Sequence, residues 1–258
     1  MYATNYFETA ILNLLRGTSI TAPSKVYLAM FFNSPTESGT AGTEVSYSGY
    51  ARQEVIFSAP AAMHNGIGIQ NNSDITFPQA PAPVGTVTHI GILDSLTGGN
   101  MLLYSELTES MVINANEAPV IVAEESQWWM TGNISTAYKT KILNVLRGIN
   151  CAGFDPFLSL YNGNPESGGS ELSGGGYGRV ALAFSAPAEQ ATGQMKTSNS
   201  VRATTSRSTA AWGTWTYDVI MDAASNGIPV FFVSRAAKEV RKGLLVIIEA
   251  GDLSLVVN

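Results

Sequence analysis

A single cysteine, Cys151, stands in 258 residues, so the chain can form neither an internal disulfide nor a thiolate metal cluster. Histidine is nearly as scarce: His64 and His89 have no Cys, His or paired carboxylates at a ligand spacing. Charge is thin as well. Asp, Glu, Lys and Arg make up 13% of the residues, about half the roughly 25% of an ordinary soluble domain. Lys plus Arg number 14 against 20 Asp plus Glu, a formal net charge of −6. The clustered cations with which a nucleic-acid binder neutralises phosphates are therefore missing. The longest apolar runs, such as Gly243–Ile248, have strand length and fall far short of a bilayer. The first residues lack a basic n-region, so no secretory leader is expected. With 45% hydrophobic residues a core can form and disorder is not expected; the polar surface must come largely from Ser, Thr, Asn, Gln and Gly.

The chain contains itself twice. Ile11–Gly17 (ILNLLRG) returns as Ile142–Gly148 (ILNVLRG), and Leu28–Phe31 is answered by Leu158–Tyr161. Glu44-Val-Ser matches Glu171-Leu-Ser, Gly49-Tyr-Ala-Arg52 matches Gly176-Tyr-Gly-Arg179, and Phe57-Ser-Ala-Pro-Ala recurs unchanged from Phe184. The offset drifts only between 131 and 127, and it drifts in Gly/Ser-rich loops, where length changes cost little. One order, similar spacing and an identical pentapeptide define a tandem duplication. The reading is two homologous domains, 1–131 and a diverged 132–258, with a boundary near Gly132. Each carries its own helix and strands, so each half is expected to fold alone.

Both copies read alike. Thr4 or Asn5 can cap a helix carrying Phe7, Ala10, Ile11, Leu14 and Leu15, stopped by Gly17. Ser135 can cap its counterpart with Tyr138, Ile142, Val145 and Leu146, stopped by Gly148. The period then changes. Strands are expected at 25–32, 51–57, 87–93, 101–106 and 118–123, and at 214–221, 229–233, 244–249 and 253–257. Short strands between turn signals predict a mainly β fold: two tandem β-sandwich or barrel-like domains, each with one N-terminal α-helix.

The string Leu15-Arg-Gly-Thr18, Thr21-Ala-Pro23, Tyr27–Phe31, Ser34-Pro-Thr36, Gly42–Ser46 and Gly49–Gln53 resembles a family of bacteriophage virion proteins commonly labelled tail-fibre or minor structural proteins. The second copy departs at Cys151–Pro156, where Thr-Ala-Pro is expected, and at Val180, which replaces Gln53. The resemblance implies a non-catalytic virion subunit, made in the host bacterial cytoplasm and acting through contacts with other virion proteins. A minor structural, decoration or tail- or neck-associated role all fit, and a receptor- or glycan-binding tail-fibre module is the alternative. No cofactor, metal, nucleic-acid or membrane partner is expected. Three copies of a duplicated chain would present six similar modules, which favours a homo-trimer.

Six residues stand out. Tyr50 with Arg52, and Tyr177 with Arg179, recur beside the same glycine. They are expected to be a structural signature, each arginine fork holding carbonyls of the preceding loop and each tyrosine packing at the loop base. Trp128 and Trp129 are adjacent. On a strand their side chains face opposite ways, so one is expected to bury and the other to make a contact, between domains or to a partner. Asp94 and Asp222 follow apolar strands, where aspartate commonly closes a turn. No catalytic constellation is present: no nucleophile elbow serves either histidine, and one acid per repeat does not make a two-carboxylate site.

Overall fold

The computed structural model describes residues 2–257. Helix α1 spans Asn5–Asn13 and continues through a 3-10 turn at Leu14–Arg16 that ends on Gly17 in the left-handed region. Helix α2 spans Thr136–Val145. Ser135 caps α2 as its sequence suggests, its Oγ accepting from Tyr138 N at 3.2 Å. Thr4 holds the corresponding position but does not cap α1; its hydroxyl donates to Met101 O at 2.5 Å, tying the helix start to the sheet.

The strands are antiparallel throughout. In the first copy a five-stranded sheet runs in the order Tyr2–Ala3, Met101–Ile113, Gly85–Leu93, Val26–Phe31, Gln53–Val55. A three-stranded sheet is built from Gln127–Met130, Gly66–Gln70 and Ala61–Met63. The second copy repeats the plan. Ser170–Glu171, Phe157–Asn162, Gly213–Met221 and Pro229–Val240 form the large sheet, with Val180–Ala181 also on Phe157–Asn162. Ala188–Glu189, Met195–Ser198 and Ser254–Val256 form the small one. These are open, sandwich-like layers rather than closed barrels. Both long hairpins carry a bulge at the same place, between Val87 and His89 and between Trp215 and Tyr217. Bulges of this kind fix register and increase local twist.

The two copies do not keep separate cores. One continuous cluster of buried apolar side chains includes Phe7, Ile11 and Trp128 together with Tyr138, Ile142 and Phe231. The reason is an exchange of helices: α1 packs on Met195–Ser198 of the second copy, and α2 on Gly66–Gln70 of the first. Each helix also touches its own copy's long hairpin. Backbone N–H groups close the seam, onto both backbone and side-chain oxygens. Phe154 N donates to Leu14 O at 3.1 Å, Ala22 N to Asn150 Oδ1 at 2.9 Å, and Gly153 N to Ser19 Oγ at 3.0 Å. Gly153 is required by this approach, since a Cβ there would come within 2.6 Å of Thr18 N and closer still to the Gly17 carbonyl.

Candidate interface and the repeated clamp

Arg52 and Arg179 each tie three chain segments together. Arg52 Nε and Nη2 donate to the two carboxylate oxygens of Glu44 at 2.8 and 2.7 Å, while Nη1 reaches Ser95 O at 2.9 Å and Gly98 O at 2.7 Å. Arg179 repeats the pattern with Glu171 at 2.9 and 2.7 Å, and with Ala223 O at 2.8 Å and Asn226 O at 2.6 Å. The two-pronged fit is what a planar guanidinium offers and an ammonium cannot. The carbonyls come from the hairpin turn more than forty residues later, not from the preceding loop; that loop supplies the glutamate instead.

The tyrosines complete the clamp. Tyr50 Oη accepts from Met30 N at 3.2 Å, and Tyr177 Oη accepts from Leu160 N at 3.1 Å and donates to Glu171 Oε1 at 3.0 Å. Each thus meets a mid-strand N–H of the large sheet. Burial raises the Tyr50 hydroxyl well above its ordinary range and pushes Tyr177 up to about 12. Burial alone would also raise the Glu171 carboxyl, but bonds from Arg179, Ser159 and Tyr177 hold it below the usual carboxylate range. Ser159 Oγ adds a 2.6 Å bond to Glu171; the first copy has Ala29 there and lacks it. The glutamates are members of the repeat that only the fold reveals as clamp partners.

The turns behind the clamp are closed by aspartate. Asp94 Oδ1 accepts from Asn100 N and Asp222 Oδ1 from Ile228 N, both at 2.7 Å. His64 Nε2 meets Gln127 Oε1 at 2.7 Å, and His89 Nδ1 meets Thr88 Oγ1 at 2.8 Å. Cys151 is buried at the seam between the copies, and burial raises its thiol.

Trp128 and Trp129 lie on the strand Gln127–Met130 and face opposite ways. Trp128 is fully buried, its Nε1 donating to Ser126 Oγ at 2.8 Å. Trp129 is half-buried, its ring 4.5 Å from the His64 ring at a 43° tilt. The neighbouring strand lets it lie close: a Cβ on Gly68 would come within 2.9 Å of Trp129 Cβ. Trp129 and His64 border an open cleft of about 640 Å³. Its floor includes Ile90, Met111 and Ile121, and its rim carries Glu106, Glu109, Glu125 and Gln127. Of the six residues marked from sequence, the fold gathers Tyr50 with Arg52 and Tyr177 with Arg179 into two equivalent clamps, and it separates the tryptophans into core and cleft.

A family model described as "Podophage GP4 fiber I protein gp80" matches this chain twice, over residues 2–128 and 133–256. Each match covers one helix and the strands of one copy. No curated protein matches the chain.

Proposed function

The chain belongs to the podophage GP4 fiber I protein gp80 family, as a tandem duplication, and from that premise we propose that it is a non-catalytic subunit of a tailed-phage particle, seated on the tail through contacts with other virion proteins. The observation that carries this reading is the double match to a fibre family by a chain whose halves are welded into one core. The repeated clamps support a building-block role: their charged groups hold loops to the sheet, each guanidinium making four hydrogen bonds to Glu, Ser, Gly, Ala or Asn oxygens. The domain boundary at 131–132 and a homo-trimer as the assembled form belong to the same proposal.

Negative-stain imaging of particles labelled with an antibody against this chain tests it. Label on the tail is the expected result, and label spread over the capsid shell would replace the fibre reading by capsid decoration. A receptor-binding module remains the second reading, favoured by the Trp129 cleft; it predicts label at the distal tips and competition of the free protein with phage adsorption.

A further inference from the structure

The duplication supplies an internal comparison for the cleft. In the second copy the equivalent positions carry a polar bridge. Trp215 stands where the first copy has Val87, Asp218 where it has Ile90, and Arg235 where it has Leu107, all at an offset of 128 along paired hairpins. Arg235 Nε donates to Asp218 Oδ2 at 2.5 Å, and its Nη2 reaches Asp252 O at 3.3 Å, bridging the long hairpin to the C-terminal segment. Trp215 Nε1 donates to Asp218 Oδ1 at 3.1 Å. The first copy has only aliphatic side chains at those three positions, and there the long hairpin and the segment before Gln127 both border the cleft.

What lines that opening is one-sided in charge. Glu106, Glu109 and Glu125 border it, and neither Lys nor Arg does. Trp129 and His64, their ring centroids 4.5 Å apart, put two aromatic rings on its border. Ile90, Met111 and Ile121 offer an apolar floor along which a long aliphatic stem can lie. A planar cation prefers an aromatic face and carboxylate partners. From this the geometry points to a docking site for an arginine side chain of a partner protein, which enters the first-copy cleft from outside where the second copy carries its own Arg235. This rests on the reading that the chain works through protein contacts, and it adds the chemistry of one such contact.

Calorimetric titration of the full chain with a short arginine-containing peptide, acetyl-Gly-Arg-Gly-Arg-Gly-amide, tests it, with the neutral citrulline peptide as control. Saturable binding is expected, weakened at least about tenfold, or roughly 1.4 kcal/mol, by citrulline, and weakened by added salt because the rim carboxylates are exposed. Leu107→Arg should build the second copy's arginine into the first and abolish binding with the melting temperature kept. If that variant misfolds, the exposed triple substitution Glu106→Gln, Glu109→Gln, Glu125→Gln serves instead and should lose binding too. Equal binding of the citrulline peptide, undiminished binding by the triple variant, or no heat at millimolar peptide overturns the proposal. So does an inert peptide when a neutral N-acetylglucosamine oligomer binds, an outcome that would assign the cleft to a saccharide. Because the titration uses the isolated chain, its failure leaves the particle-labelling result standing.

Discussion

Ile20 and Cys151 occupy equivalent positions in the two copies, 131 residues apart, and each donates its N–H to the other's carbonyl, at 2.8 and 3.0 Å. A residue pair that bonds its own counterpart marks a local two-fold relationship between the copies. It is the self-complementary arrangement of an isologous dimer, here joined covalently through the segment around Gly132. The exchanged helices are its consequence: whatever α1 does to the second copy's small sheet, α2 does to the first's.

Gly153 sits in that seam with ordinary backbone geometry and no room for a side chain. Gly153→Ala should therefore cost about 1–3 kcal/mol by overpacking, read as a shift in the urea midpoint. Gly178→Ala, where an added Cβ meets nothing within 4 Å, is the matched control and should stay within about 0.5 kcal/mol.

The clamps should behave as paired charges taken largely out of water, since the arginine side chains are only 11% and 8% exposed. Arg52→Gln and Arg179→Gln are each expected to cost on the order of 3 kcal/mol, mostly from the carboxylate left behind. The second copy offers a finer comparison. Glu171 keeps bonds from Ser159 and Tyr177 when Arg179 is lost, whereas Glu44 has only the 3.4 Å contact from Tyr50. Loss of Arg52 should consequently be the larger of the two, and equal effects would show that the extra hydroxyls do not matter.

The adjacent tryptophans should separate cleanly. Trp128→Ala empties a fully buried site and should cost about 3–5 kcal/mol, while Trp129→Ala should leave the fold near wild-type stability and change only the cleft. Thermal unfolding of the two variants side by side decides this.

The duplication, the two helices, the central strands and the turn aspartates were legible because each leaves a local mark: a period, a cap or a repeated string. Other features leave none. Gly66–Gln70 alternates isoleucine with glycine, a residue depleted in strands, yet it is central to the small sheet and carries α2. The hairpin strand Met101–Ile113 runs seven residues past the expected end, because its polar outer half pairs through backbone rather than by apolar burial. The partners of Arg52 and Arg179 come from loops eight and some forty-five residues away. The helix exchange is invisible to any offset, since a repeat says that two copies exist and not which copy's helix covers which sheet. The shared core makes the expectation that each half folds alone a question for experiment.

Cleaving the chain at a protease site introduced at Gly132, an exposed glycine in the left-handed region, addresses it directly. The two pieces should co-elute on gel filtration under native conditions and separate only in denaturant. Two independently eluting folded pieces would mean that the shared core contributes little.

The last prediction concerns pH and follows from another pair of equivalent residues. Glu8 and Lys139 hold the same place on α1 and α2, and both are buried. Lys139 Nζ donates to Gly132 O at 2.8 Å. Glu8 Oε2 accepts from Met195 N at 2.7 Å, but its Oε1 has no donor, and neither do Asn5 Oδ1 and Glu37 Oε2. Glu37 is tied to the start of the same helix, its backbone carbonyl accepting from Asn5 N at 2.8 Å. Burial, opposed by the Met195 N–H and reinforced by Glu37, raises the Glu8 carboxyl from 4.5 to about 7. Glu37 is raised by burial as well. At Glu8 the folded chain therefore holds a proton in this window that the unfolded chain releases. Its contribution to stability is complete below the unfolded value of 4.5 and is lost as pH rises through about 7. Glu117 and Glu171 are shifted down and act with the opposite sign, but only below the ordinary carboxylate range. The melting temperature should accordingly fall between about pH 5 and pH 8. Glu8→Gln replaces the partnerless Oε1 by a permanent donor that does not titrate, and should flatten most of that fall while keeping the low-pH value. A melting temperature that rises across this window, or a Glu8→Gln variant with the wild-type slope, would show that the buried carboxylate at the seam is not what titrates.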